Sequence, residues 1–331
     1  MSSPLLELRR LRTSFDTRRG RLVAVDGVSF TVSPGEVLGV VGATGSGKSV
    51  MALSLMRLID APGRIDPSSE IVFDGKDLMR LSDRAMRNLR GRDIAMIFQE
   101  PMTSLNPVHR IGDQIAEVLE AHTGLSLAEV RARVQDLVRA VGLSDPERQA
   151  RRYPFEMSGG MRQRVMIAMA MACNPKLLVA DEPTTALDVT IQAQILELMR
   201  DIRERTGMAM VIITHDLGVV AEVTDNIAVM YAGRIVEYGR TRDVLDRPKH
   251  PYTQGLLAAI PELGMSKETP LKVIPGSVPS PLAWPQGCRF APRCEYRFEK
   301  CDIYPPLFGA APQHAACWLQ EAEGVFEESE Q

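Results

Sequence analysis

From Gly42 to Ser49 the chain reads Gly-Ala-Thr-Gly-Ser-Gly-Lys-Ser, which satisfies the spacing G-x-x-x-x-G-K-[ST] of a phosphate-binding loop. Gly42, Gly45 and Gly47 free the backbone to turn its N–H groups inward around a triphosphate, with Thr44 and Ser46 between them. Lys48 would reach the β- and γ-phosphates, and the Ser49 hydroxyl would ligate Mg²⁺. A second set of chemistry-bearing residues is Asp181 and Glu182, two acids closing the apolar run Leu177-Leu178-Val179-Ala180. Asp181 suits the Mg²⁺ shell, and Glu182 could polarise an attacking water. A third is Ser158-Gly159-Gly160, a helix-breaking start to a helical run whose first-turn N–H groups form an anion site. Together they imply binding of a nucleoside triphosphate.

The elements that must position these groups are legible as patterns. Leu5–Phe15, Leu22–Val32 and Val37–Val41 have strand character, and Val37–Val41 leads straight into the loop. Leu177–Ala180 and Met208–Ile213 are short apolar runs suited to a buried parallel sheet. Between about 110 and 143 apolar residues recur at helical spacing: Ile111, Ile115, Val118, Leu119, then Val130, Val134, Leu137 and Val138. After Ser158, Met161, Val165, Ala168, Met169 and Ala172 line one helix face. Six prolines (261, 270, 275, 279, 281, 285) between Pro261 and Gly287 preclude a regular helix or central strand there. Five glutamates (321, 323, 327, 328, 330) in the last twelve residues mark a solvated tail.

With 331 residues and a net charge of -3, the chain has no electrostatic case for binding nucleic acid. No apolar run reaches the roughly 18 residues of a membrane span. Met1-Ser2-Ser3-Pro4-Leu5 lacks the pattern of a signal peptide, so a cytoplasmic protein is expected.

The phosphate loop, Gln99 after Ile94-Ala95-Met96-Ile97-Phe98, Ser158-Gly159-Gly160, Asp181-Glu182-Pro183, Ala186-Leu187-Asp188 and His215 follow one another in the order of the ATP-binding-cassette superfamily, which residues 5–240 resemble. The resemblance implies an α/β fold with a mainly parallel core sheet, an antiparallel β subdomain and a helical subdomain at about 99–157. It also implies a head-to-tail dimer holding two ATP molecules, with Ser158, Gly159 and Gly160 of one subunit meeting phosphates held by Lys48 of the other. Gln99 would contact Mg²⁺ and the attacking water, His215 the γ-phosphate, and Phe15 would stack on adenine. The signature here is Met157-Ser158-Gly159-Gly160-Met161, a departure at its flanks that leaves the phosphate-facing residues intact.

Cys173 stands alone in the signature helix and is expected in the core, whereas Cys288, Cys294, Cys301 and Cys317 cluster near the C-terminus. In a cytosolic chain such a cluster suggests a metal or iron–sulfur site. Its surroundings, His250-Pro251-Tyr252-Thr253-Gln254-Gly255-Leu256-Leu257, Ile274–Pro279 and Gly287–Cys294, together with Glu100–Pro107, resemble the ATPases of dipeptide and oligopeptide importers. That likeness implies a [4Fe–4S] cluster on the four cysteines, with zinc as the alternative. It implies as partners a paralogous cassette ATPase, two membrane permeases and an extracytoplasmic solute-binding protein, at the cytoplasmic face of the inner membrane. The domains expected are an ATPase domain at 5–260, a proline-rich linker and cysteine region at 261–319, and an acidic tail at 320–331. Importers of nickel or glutathione and soluble cassette ATPases are the competing functions.

Overall fold

A computed structural model describes residues 3–99, 104–185, 187–260 and 272–326 of the chain. Residues 100–103 of the loop after Gln99, Ala186, residues 261–271 of the proline-rich stretch and 327–331 of the acidic tail lie outside the described residues. In chain order the strands are β1 (Leu6–Thr17), β2 (Gly20–Val32), β3 (Val37–Val41), β4 (Gly63–Ile65), β5 (Glu70–Phe73), β6 (Lys76–Asp77) and β7 (Ile94–Ile97). They continue with β8 (Leu177–Asp181), β9 (Ala209–Thr214), β10 (Asn226–Tyr231), β11 (Arg234–Arg240), β12 (Phe308–Ala310) and β13 (Gln313–Ala315). The α-helices are α1 (Lys48–Leu55), α2 (Asp83–Leu89), α3 (Ile111–His122), α4 (Leu127–Ala140) and α5 (Pro146–Ala150). After these come α6 (Gly159–Ala170), α7 (Val189–Thr206), α8 (Leu217–Val223), α9 (Thr241–Asp246) and α10 (Pro251–Ala258). The fold is α/β, and the chain divides into two units, each drawn from three stretches of sequence.

The first unit takes Met1–Leu6, Val32–Val37 and Phe73–Ile213. Its sheet is β7-β8-β9, parallel throughout, with Ile94 paired to Leu177 and Leu177 to Ala209. Every residue of β8 and β9 is buried, and each strand is apolar up to its closing residue, Asp181 or Thr214, as strands covered on both faces require. Helices α3 and α4 pack on each other and on α6, and α6 packs on β7 and α7. The helical periodicity is borne out except at Val118, which is half-buried: Ile111, Ile115, Leu119, Val130, Val134, Leu137 and Val138 are all buried. Ser126 opens α4 with a capping box, its hydroxyl accepting from Glu129 N–H while the Glu129 carboxylate accepts from Ser126 N–H at 2.7 Å. Buried Gln114 on α3 accepts from Asn106 N–H and donates to the Asn106 and His109 carbonyls, which fixes residues 106–109. Cys173 differs from expectation: it is only partly buried, its thiol 3.9 Å from the Val118 carbonyl.

The second unit takes Glu7–Thr31, Leu38–Val72 and Thr214–Gln331. It contains an antiparallel pairing of β1 with β4, Thr13 opposite Ile65. It also contains the order β12-β13-β11-β10-β3, in which only β10 and β3 run parallel. The cysteine-bearing region therefore does not merely trail behind the ATPase part. Its hairpin β12–β13 extends the sheet at β11, with Glu237 opposite Ala315 and Tyr238 opposite His314. Beneath lies a core of Val41, Val220, Ile227, Val229, Tyr231 and Tyr252, against which Trp284, Cys288 and Cys294 also pack.

Candidate nucleotide site

All five residues of β3 are buried, and in the second unit its Leu38–Val41 pair in parallel with Asn226–Val229. The phosphate loop thus leaves the C-terminal end of a rigid strand, where parallel sheets present their ligand sites. Its glycines are required by close approach. A Cβ on Gly42 would stand 2.1 Å from the Met230 carbonyl oxygen, and one on Gly47, at φ 102°, 2.4 Å from that of Ala24. Gly47 is the N-cap of α1 and leaves the first-turn N–H groups without a side-chain cap. Lys48, only 5% exposed, donates from Nζ to the Gly42 carbonyl at 2.7 Å and the Ala43 carbonyl at 3.1 Å. Thr44 and Gly45 at the loop tip are exposed, Ser46 is buried and Ser49 is half-buried. This cradle of backbone, ammonium and hydroxyl fits a triphosphate with its Mg²⁺. His215, just past β9, is exposed, and Asp216 beside it caps α8 through Gly218 and Val219 N–H. Phe15 on β1 is half-buried and lies over Gly63, whose small size leaves room for the ring.

The first unit holds the acids. Asp181, 4% exposed, closes β8 opposite Ile213. Glu182 follows with φ 49°, a left-handed conformation that is strained for a side chain this large. Its N–H is tied to the Ile213 carbonyl at 2.8 Å, which holds the turn and swings the carboxylate out of the strand. Gln99 Nε2 donates to Glu182 Oε2 at 3.1 Å, and Thr185 Oγ1 donates to the same oxygen at 2.7 Å. The Gln99–Glu182 contact was not foreseen, although both residues were; nor was Thr185, which no motif marks. Ser158 caps α6 by accepting from Met161 N–H, and Ser158 and Gly159 are exposed. A Cβ on Gly160 would press within 2.6 Å of Ile191 Cγ2, so this end of α6 is held close to α7.

Two polar features of the second unit had no sequence signal. Asp26, 6% exposed, receives Arg12 at 2.8 Å and Arg234 at 2.8 Å, and pairs with Arg289. Burial pulls its pKa upward, but the three guanidiniums outweigh that and hold it below the ordinary carboxylate value. Tyr252, at the start of α10, accepts a hydrogen bond from Ala43 N–H of the phosphate loop at 2.8 Å.

The expected iron–sulfur cluster is overturned, and zinc with it. Among the described residues, no group of three or more His, Cys, Asp or Glu side chains could hold a metal ion. Cys288, Cys294, Cys301 and Cys317 are free thiols lining one pocket with His250, Phe290 and Trp318, and that pocket leaves only about 10 Å³ open. That is less than a single water fills comfortably. Burial pushes the Cys288 and Cys294 thiols up and the Cys317 thiol to about 12, so with no metal present these side chains pack as neutral thiols. The motif spacing placed the cysteines together correctly, but packing made them apolar filling.

A phosphate loop on a buried β-strand and an acidic pair on another define a P-loop ATPase of α/β architecture. Residues 25–185 match the family described as ABC transporter, and residues 236–301 match the oligopeptide/dipeptide transporter C-terminal region. A peptide import ATP-binding protein of Brucella ovis is 51% identical over 94% of this chain and 95% of its own. The dipeptide transport ATP-binding protein DppD of Escherichia coli is 50% identical over 91% of this chain and 92% of its own. Among solved structures, a dimeric ATP-binding cassette in a post-hydrolysis state with ADP and Pi aligns with a TM-score of 0.65 at 26% identity, covering 72% of this chain and 99% of that one. The chain belongs to the ABC transporter family, and it is an ATPase. Among the described residues, no helix is long and apolar enough to cross a membrane.

Proposed function

We infer that this chain is the ATP-hydrolysing subunit of an importer of dipeptides and oligopeptides, acting at the cytoplasmic face of the inner membrane. The observation that carries the cargo class is the match of residues 236–301 to the C-terminal region of oligopeptide/dipeptide transporters. Two permeases and an extracytoplasmic solute-binding protein complete the transporter, and a paralogous cassette ATPase supplies the second subunit of a heterodimer. Residues 5–260 form the nucleotide-binding domain, with 99–157 as its helical part and 261–319 as its C-terminal extension.

The loop residues Gly42, Thr44, Gly45, Ser46 and Gly47 cradle the phosphates with backbone N–H groups, and Lys48 turns its ammonium from the loop carbonyls to the β- and γ-phosphate oxygens. Ser49, Asp181 and Gln99 are the residues that would hold Mg²⁺, which when bound would offset charge on the phosphates. Glu182 accepts the proton of the attacking water through its carboxylate, oriented by Gln99 and Thr185. His215 donates to the γ-phosphate, and Phe15 stacks on the adenine. Ser158, Gly159 and Gly160 offer the N-terminus of α6 to the nucleotide of the partner subunit.

The test is uptake of labelled di- and oligopeptides by cells lacking the gene, rescued by wild type or by Lys48→Ala. Uptake restored by wild type alone supports the reading. Unchanged uptake in the deletion strain, with no redundant importer, removes the peptide assignment.

A further inference from the structure

We propose that Tyr252 is a positioning residue for nucleotide binding: its hydroxyl, accepting from Ala43 N–H, ties the phosphate loop to the C-terminal part of the chain. This rests on the reading that residues 42–49 hold the nucleotide phosphates.

The contact is 2.8 Å long and spans 209 residues of sequence. Tyr252 is fully buried, its ring 4.6 Å from that of Tyr231 and 5.5 Å from that of Phe290, so the hydroxyl has little freedom to move. Its backbone is fixed equally firmly. Tyr252 N–H donates to His250 Nδ1 at 3.0 Å, which caps α10, and the Glu237 carboxylate on β11 accepts from Lys249 N–H at 2.8 Å and His250 N–H at 3.0 Å. Gln313 on β13 donates to the same carboxylate at 2.9 Å. An unbroken set of bonds therefore runs from the C-terminal hairpin through Glu237 and α10 to Ala43.

Ala43 is held from both sides. Its carbonyl receives Lys48 Nζ at 3.1 Å while its N–H is bonded to Tyr252. When Lys48 turns to a phosphate, the Tyr252 bond still fixes Ala43, and the loop keeps the curvature its other N–H groups need. Loss of the hydroxyl leaves that N–H to find another partner, and the loop must be ordered at the expense of nucleotide affinity.

The experiment is ATP binding and turnover by the purified full chain as wild type, Tyr252→Phe and Tyr231→Phe, with folding checked by thermal melting. Tyr231→Phe removes a hydroxyl from the same aromatic cluster, but one facing Arg293 at 3.4 Å. Tyr252→Phe is expected to weaken ATP affinity about three- to tenfold, while turnover at saturating ATP and melting temperature stay near wild type. Tyr231→Phe is expected to bind ATP as wild type does. Unchanged affinity in Tyr252→Phe overturns the proposal, as does an equal loss in both variants, which would assign the effect to ring packing. Lys48→Ala separates the underlying reading: if it binds ATP normally, the loop is not the phosphate site, whatever Tyr252 does. Should Tyr252→Phe fail to fold, hydrogen exchange of the Ala43 amide in the wild-type chain decides. Slow exchange supports the tie, and exchange as fast as that of exposed Thr44 overturns it.

Discussion

Glu182 combines three observations at one residue: a left-handed backbone, an anchored N–H, and a carboxylate oxygen that accepts from Gln99 and Thr185. Strain of this kind persists only where the surroundings over-determine it, and it concentrates at working sites. Replacing Glu182 by Gln keeps the shape and removes the proton acceptor. Single-turnover assays should show hydrolysis slowed by about two orders of magnitude or more, with ATP still bound; wild-type rates would end this assignment. Asp26 makes a different kind of prediction. Asp26→Asn leaves Arg12, Arg234 and Arg289 without their carboxylate and should cost about 3 kcal/mol in urea unfolding. A midpoint unmoved from wild type would mean the cluster is dispensable. At this scale the sequence disclosed types better than contacts. The acids, the lysine and the signature serine announce themselves by local spacing. The Asp26 bonds to Arg234 and Arg289 and the Tyr252–Ala43 bond join residues more than two hundred positions apart, and no local pattern encodes such a pairing.

The elements that carry the site are those whose sequence admits one environment. β3 carries no polar side chain and β8 only its closing Asp181, so both faces must be covered, and the groups that follow are placed by rigid backbone. The turn from β3 into α1 depends on Gly47, whose φ of 102° and approach to the Ala24 carbonyl exclude a side chain. Gly47→Ala should abolish ATP binding and lower stability by about 2 kcal/mol, measured by calorimetry and denaturant titration; normal ATP binding would show that the loop tolerates a Cβ. Strand and helix positions were largely legible because their periodicities are long and regular. The hairpin β12–β13 was not, since each strand has three residues and only their pairing with each other and of β13 with β11 makes them strands. The cysteines were misjudged for a related reason: spacing shows which thiols can meet, while pocket volume decides whether anything fits between them.

For the molecule as a whole, buried histidines set the acid limit of stability. Burial holds His250 at about 3, and burial aided by the charge of Lys249 holds His314 at about 4, both below the ordinary value of 6.5. Between pH 6.5 and 4 the unfolded chain therefore takes up protons that the native chain refuses, and stability falls as pH falls. Glu237, raised by burial, acts in the opposite sense, one group against two. The effect of the two histidines should therefore be seen as a falling urea midpoint at pH 7, 6 and 5. His314→Phe, which preserves the stack on Tyr238 and Phe326, should flatten that slope. A midpoint that rises on acidification would contradict the account. The interleaving of the two units has a further consequence, in the order of manufacture. Ala43 leaves the ribosome 209 residues before Tyr252 does, and Leu38–Val41 precede their partners Asn226–Val229 by a similar stretch. At the usual pace of synthesis, about 5–20 residues per second, the nascent phosphate loop waits on the order of 10–40 seconds for the tyrosine that ties it. A half-made chain thus carries a complete nucleotide motif on a strand still lacking its parallel neighbour β10.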